Sequence, residues 1–229
     1  MYENMRTIFT AVYSNDINIK NLYDSIDCEI DTFVILTKLN LNLSGNKFVK
    51  NIIYENYNYR IQSIAQTWNY FIEYMDLPNY IIINDDLIFG PGFLSAFINS
   101  TESNPDKLQL TKDIQFSCFS ITPYIIEKYG LFDENYKQAY WDDADYITKI
   151  LGDRVTQPNP HSIDFNPEDS QDVVLFNKNG EYKIQHVLNG TYKNLNEEQR
   201  KRIDEYIYKN TLYYNLKWKN KNKAFDIYD

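Results

Sequence analysis

Apolar, β-branched runs alternate along the chain with stretches in which apolar residues recur every three or four positions, a pattern that predicts strands and helices in turn. Thr7 to Tyr13 is apolar enough for a buried first strand, and Ser14-Asn15-Asp16 offers a cap for a short helix reaching Ile26. Thr32 to Thr37 and Phe48 to Tyr54 read as the next two strands, parted by the polar loop Asn42-Leu43-Ser44-Gly45-Asn46. From Asn58 to Met75 the apolar positions are Ile61, Ile64, Ala65, Trp68, Ile72 and Met75, the spacing of a helix with one buried face. Pro78-Asn79 resets the chain into a strand over Tyr80 to Ile83, and Pro91-Gly92 opens a helix over Phe93 to Asn99.

Asn104-Pro105-Asp106 begins a polar loop, followed by a strand over Ile114 to Ile121 and a short helix from Thr122-Pro123 to Tyr129 with Gly130 at its C-cap. A helix over Trp141 to Leu151, a proline-rich connector around Pro158, Pro160 and Pro167, a late strand over Glu181 to Val187 and a long helix over Asn196 to Trp218 complete the pattern. Alternating strands and helices argue for an α/β fold with a mostly parallel central sheet flanked by helices. Residues 1–195 are expected to form one body, with residues 196–229 a C-terminal helix and basic tail packed on it.

Composition narrows the partners. With 229 residues, 43% of them hydrophobic and 16% aromatic, the chain can bury a full core. A net charge of -9 disfavours a sequence-independent grip on nucleic acid, which draws on dense Lys and Arg. Cys28 and Cys118 lie far apart without metal-ligand spacing, so neither a disulfide framework nor a structural zinc site is indicated. Residues 1–6 lead straight into a strand pattern and no stretch approaches the length of an apolar membrane span, so a cytoplasmic location is expected.

The chemistry-bearing residues cluster at two places. Ile81-Ile82-Ile83 ends abruptly in Asn84-Asp85-Asp86, and acids at the carboxyl end of a buried strand project into the crevice where open α/β sheets bind ligands. These are also ordinary turn formers, but their hard oxygens suit Mg2+ or Mn2+ holding a diphosphate. The second cluster is Trp141-Asp142-Asp143-Ala144-Asp145, at a helix start. Three acids there complement the helix dipole whatever else they do. Helical spacing puts Asp143 on the stripe of Ile147 and Ile150, and Asp142 and Asp145 on the polar side. Asp143 is thus expected at the edge of the buried face, with its pKa raised into a general base's range. Trp141 is either a platform for a sugar ring or a core residue, and His186, after the late strand, is either a metal ligand that favours Mn2+ or a hydrogen-bonded side chain. The motifs of hydrolase triads, P-loops and Rossmann dinucleotide sites are missing.

In this order the motifs resemble those of GT-A fold glycosyltransferases of the family 2 type, particularly the rhamnosyltransferase-like branch. Asn84-Asp85-Asp86 and Pro91-Gly92-Phe93-Leu94 are similar to the family's D-x-D-like element and the helix start after it. Gly130-Leu131-Phe132-Asp133-Glu134 with Trp141-Asp142-Asp143-Ala144-Asp145 resembles its G-x-F-D-E and w-E-D-x-D segments. Ile184 to Thr191 resembles v-x-H-x-x-G-x-S, and Asn210 to Trp218 the ending N-x-x-Y-x-x-K-W. The resemblance covers about residues 6–191 and implies a GT-A-type Rossmann-like sandwich with Asp143 as base. Departures are Asn84 at the first D-x-D position, which leaves Asp86 as the better ligand, and Thr37-Lys38-Leu39-Asn40 in place of the acid that reads the nucleotide base.

The expected activity is metal-dependent, inverting transfer of a hexose-type residue from a UDP-, GDP- or dTDP-sugar to a hydroxyl of a glycan or related acceptor. Asp143 is the expected base, and Asp86 and His186 the expected ligands of Mn2+ or Mg2+. Ala11, Val12, Tyr13, Arg60, Ser63, Asn84, Asp85, Trp141 and Asp142 are expected to line the substrate site, with Asn58 near them. Two alternatives stand beside this: a catalytically silent sugar-nucleotide or glycan-binding module on the same scaffold, and a glycosyltransferase acting on a modified nucleic-acid base contacted by the Lys-rich end.

Overall fold

The computed structural model describes residues 6–12, 16–56, 61–74, 76–112, 114–138, 140–152, 155, 157–159, 162–164, 170–177, 179–187 and 196–218. The first half is a run of βα units: β1 (Thr7–Val12), α1 (Asp16–Asp24), β2 (Ile30–Thr37), β3 (Val49–Asn56), α2 (Ile64–Tyr74), β4 (Tyr80–Ile83), β5 (Leu87–Phe89) and α3 (Phe93–Glu102). Then come β6 (Leu108–Thr111), β7 (Gln115–Ile121), α4 (Pro123–Tyr129), α5 (Asp142–Leu151), β8 (Gln157–Asn159), β9 (Ser162–Asp164), β10 (Val173–Phe176), β11 (Ile184–His186) and α6 (Glu197–Trp218).

Seven strands form one sheet in the order β10-β6-β7-β4-β1-β2-β3, in which only β7 runs against the others. Its strands are apolar on both faces because both faces are covered. Phe9, Val34, Leu36, Ile82, Leu110 and Phe119 pack on one side with Trp68, Phe71, Trp141 and Ile147. Ile8, Phe33, Ile35, Ile81, Ile83 and Cys118 pack on the other with Ile19 and Leu22 of α1 and Phe93 and Phe97 of α3. Burial of this kind is worth about 25 cal/mol per Å² of apolar surface. Trp68 anchors the first core, with ring centroids 4.8 Å from Phe132 and 5.1 Å from Phe119.

The mostly parallel sheet and its flanking helices, including the C-terminal one, are as the alternating pattern predicts. Five strands were not read in the sequence, two of them, β8 and β9, an antiparallel pair inside the predicted proline-rich connector. β5 directly follows the acids, β6 falls inside the predicted polar loop and β10 follows the proline-rich connector. β6 contains a glutamine, yet Gln109 is 1% exposed, because its side-chain amide donates to Phe97 O and Thr101 Oγ1 while its carbonyl accepts from Ser100 Oγ. A fully hydrogen-bonded amide can be buried at little net cost, so polarity there does not exclude a central strand.

Candidate active site

Strand order reverses between β1 and β4: the chain goes from β1 outward to β2 and β3, then returns to β4 on the other side of β1. Such a switch point opens a crevice beyond the carboxyl ends of the strands. Asn84-Asp85-Asp86 leaves β4 at that edge. The Asn84 N–H donates to Ser117 O at 2.8 Å, which extends the β4/β7 ladder and fixes where the acids begin.

β5 turns away from the main sheet and pairs with β11, so that Leu87 lies opposite His186. Val187 N–H donates to Asp86 O at 2.8 Å, and the ladder thereby sets the imidazole beside the carboxylate. His186 Nε2 lies 3.2 Å from Asp86 Oδ1, and that buried oxygen accepts no hydrogen bond. Two donor atoms that approach without bonding to each other suit ligands of one small divalent cation, which at about 2.1 Å from each holds neighbouring ligands about 3 Å apart. Asp85, beside them, is pushed up to about 7, by burial first and then by the charge of Asp86. Gly90 lets the two strands approach: a Cβ there would stand 2.7 Å from Lys183 O, to which Gly90 N–H donates. Below, Asp27 Oδ2 accepts from Gly92 N–H and Ser25 Oγ from Phe89 N–H, tying the segment after the acids to the end of α1.

The second cluster reaches the same edge of the sheet by a different route. α2 links the carboxyl end of β3 to the start of the parallel β4, so its N-terminus lies at the carboxyl edge. Ser63 there bridges to Gln138, and Ile64 N–H donates to Gln138 O at 2.8 Å, which draws the segment before α5 to that edge. The segment is strained. Gln138, Tyr140 and Trp141 have φ of 60°, 74° and 74°, each a conformation that costs a non-glycine residue on the order of 1 kcal/mol.

At the start of α5 the acids are arranged otherwise than helical spacing predicts. Asp142 and Asp145 are the buried ones, at 3% and 0% exposure, and Asp143 is half-buried. The polar side of the helix faces α6 rather than water. Asp145 accepts from Tyr136 OH, Trp218 Nε1–H and Lys217 Nζ, at 3.1, 2.9 and 2.9 Å. Lys217 also donates to Asp133 Oδ2 at 2.7 Å, and Tyr214 OH lies 2.6 Å from Thr148 Oγ1. Nothing in the local sequence marked Asp145 as the anchor of α6; its only signal was the distant Lys217-Trp218 pair, which read as part of a basic tail.

Asp143 nevertheless keeps the property expected of it. Its carboxyl is pushed up to about 6 by desolvation, which outweighs the opposing hydrogen bond from Ala144 N–H at 2.7 Å. Asp142 is raised well above the usual carboxylate range by burial and the adjacent Asp143, and its Oδ2 has no hydrogen-bond partner. Adjacent carboxyls raised to different degrees by burial and by each other resemble paired carboxylates that share a site.

Several expected substrate contacts fall elsewhere. Trp141 is fully buried with its ring 4.5 Å from Tyr214, which makes it a core residue and not a platform. Ser63 is 3% exposed and its hydroxyl caps α2 by accepting from Gln66 N–H at 3.2 Å. Val12 is buried against the α1/α3 side, while Ala11 is partly buried against the other core at the end of β1. Tyr13, Asn58 and Arg60 lie outside the described residues.

Fold and site together define a GT-A-type α/β sandwich with acids at its switch point. Among solved structures it is similar to TarS 1-349 of S. aureus in complex with UDP-GlcNAc, at 8% identity and a TM-score of 0.52, over 91% of this chain and 66% of that one. A longer TarS structure matches at 8% identity and a TM-score of 0.48 over 63% of this chain, which spans only a third (33%) of its length. The mannosyltransferase PcManGT from Pyrobaculum calidifontis, in complex with GDP-Man and Mn2+, matches at 12% identity and a TM-score of 0.48, over 76% of this chain and 57% of that one. At such identities the likeness is one of fold. No protein-family model and no curated protein matches the chain. Among the described residues no helix is long and apolar enough to cross a membrane, and no group of three or more His, Cys, Asp or Glu converges on one point.

Proposed function

We propose that the chain is a glycosyltransferase that moves a hexose-type residue from a nucleoside diphosphate sugar to a hydroxyl acceptor with inversion. The observation that supports this best is Asp143, partly buried with its carboxyl pushed up to about 6, behind a segment tied to the N-terminus of α2 at the carboxyl edge of the sheet. The Asp143 carboxylate takes the proton of the acceptor hydroxyl as its oxygen bonds to the anomeric carbon. The bond from that carbon to the diphosphate oxygen breaks, and its electron pair leaves with the diphosphate. Asp86 and His186 fit a divalent cation, Mn2+ or Mg2+, which when bound supplies Lewis-acid stabilisation of the departing diphosphate. A GDP-, UDP- or dTDP-sugar is the donor class, and a glycan the acceptor class; the bound UDP-GlcNAc of TarS 1-349 is consistent with that donor chemistry.

Asn84, in place of an acid, favours a second reading, a sugar-nucleotide-binding module without turnover. Release of diphosphate from a panel of UDP-, GDP- and dTDP-sugars with Mn2+ separates the two. Turnover that Asp143→Asn abolishes in a folded protein supports the transferase, and thermal shifts without turnover support the binding module.

A further inference from the structure

We infer that Asn210 of α6 is a positioning residue for Asp143, acting through the strained segment that enters α5; the link to a catalytic base rests on the function proposed above. Asn210 is 3% exposed and its side-chain amide clasps the main chain of that segment. Its Oδ1 accepts from Lys137 N–H at 3.1 Å, and its Nδ2 donates to Lys137 O at 2.9 Å and to Tyr140 O at 3.2 Å. The amide thus satisfies both main-chain groups of one residue and reaches a second residue three positions on, across Gln138. On the opposite side Ile64 N–H holds Gln138 O. The segment is gripped from α6 and from α2 at the point where Gln138, Tyr140 and Trp141 adopt left-handed backbone that L-residues avoid. Such a conformation persists only where its surroundings over-determine it.

The consequence falls on the first turn of α5. Trp141 is the helix N-cap but supplies no side-chain hydrogen bond to it, so the turn that carries Asp142 and Asp143 lacks the usual local cap. Its direction is set instead by the chain before it and by the packing of Trp141 on Tyr214. The charged anchor, Lys217 on Asp145, holds the end of that first turn, while Asn210 fixes the chain that enters it. Asn is suited to the task because it alone offers an acceptor and two donors in one short planar group; aspartate keeps the acceptor and loses both donors.

The test uses the full chain as it stands, in the variants Asn210→Ala, Asn210→Asp and, as a control on the same helix, Thr211→Ala. Thr211 is as deeply buried but its hydroxyl donates within α6, to Ile207 O. Amide hydrogen exchange is followed by mass spectrometry. Both Asn210 variants are expected to speed exchange over residues 137–147 at least tenfold relative to the rest of the chain, with no such local effect in Thr211→Ala. With UDP-, GDP- and dTDP-sugars plus Mn2+, kcat is expected to fall at least tenfold with KM little changed. Exchange that rises uniformly, or equally in Thr211→Ala, overturns the inference, as does wild-type behaviour of Asn210→Asp. If wild type itself shows no turnover, the catalytic reading fails while the exchange data still decide whether Asn210 holds the segment. Should Asn210→Ala fail to fold, Asn210→Asp carries both measurements.

Discussion

Lys217→Met removes the cation shared by Asp133 and Asp145 while keeping a side chain of similar length. Burial alone would raise Asp133, but hydrogen bonds from Lys217, Asn135 N–H and Tyr213 OH win and hold its carboxyl at about 2, against 3.8 for an unperturbed aspartate. At roughly 1 kcal/mol per pH unit or a little more, that depression contributes on the order of 2 kcal/mol to folding. Because the folded value is the lower one, the contribution is complete above pH 4 and is lost as pH falls through 2; by pH 3 it is smaller by about 1 kcal/mol. Lys217 is the largest single source of it and also pairs with Asp145, whose side chain is wholly buried. Breaking a buried pair costs roughly 3 kcal/mol or more, and Lys149, 3.8 Å from Asp145 Oδ2, keeps part of the compensation, so Lys217→Met is expected to lose roughly 2 kcal/mol at pH 7. Trp68, Trp141 and Trp218 are all buried and report unfolding in urea by fluorescence. The difference between wild type and variant should narrow between pH 7 and pH 3, by up to about 1 kcal/mol from Asp133. A loss under about 1 kcal/mol at pH 7, the value of a surface pair, would refute the reasoning, as would a gap that ignores pH.

Turnover should rise with pH through an apparent pKa near 6, because the Asp143 carboxylate must be ionised to accept a proton, and the value belongs to the coupled Asp142/Asp143 pair. A flat kcat from pH 5 to 8 would count against Asp143 as base. The same raised pKa makes the folded state bind this proton more tightly than the unfolded chain does, so stability from this site is greatest in acid and declines as pH climbs from about 4 past 6. Asp143→Asn should therefore raise the urea midpoint at pH 8 relative to its effect at pH 4, a crossover absent if Asp143 is an ordinary surface acid. Asp86→Ala and His186→Ala should each weaken Mn2+ binding, followed by calorimetry, by about tenfold or more. Gly90→Ala, whose new Cβ meets Lys183 O at 2.7 Å, should part β5 from β11 and weaken Mn2+ binding similarly; unchanged affinity would show that the ladder does not hold His186 in place.

Which features were legible in the sequence follows from how far away their partners lie. β4 and α4 match their predicted limits, because their signals are local: an unbroken apolar run in one, a Thr-Pro start and a glycine stop in the other. β6 was hidden because Gln109 is made compatible with a central strand by α3, whose Phe97 O and Thr101 Oγ1 take its amide protons. The acids of α5 show the same limit at the site itself. Composition and spacing indicated a carboxylate with a raised pKa near Trp141, and the face rule put Asp143 at the edge of the buried face and Asp142 and Asp145 on the polar side. That rule assumes that the side of a helix rich in polar residues meets water. Here α6 covers it, with Lys217 and Trp218 more than seventy residues away supplying partners that let Asp145 be buried, and Tyr214 pairing with Thr148 one turn on. Asp143 is left at the margin of that contact, the one acid of the three with a half-buried carboxylate. A base needs both properties, enough desolvation to hold a proton near neutral pH and enough exposure to meet a substrate. In this fold the division of the two among neighbouring acids is made by the C-terminal helix, so its side chains belong to any account of the site's chemistry.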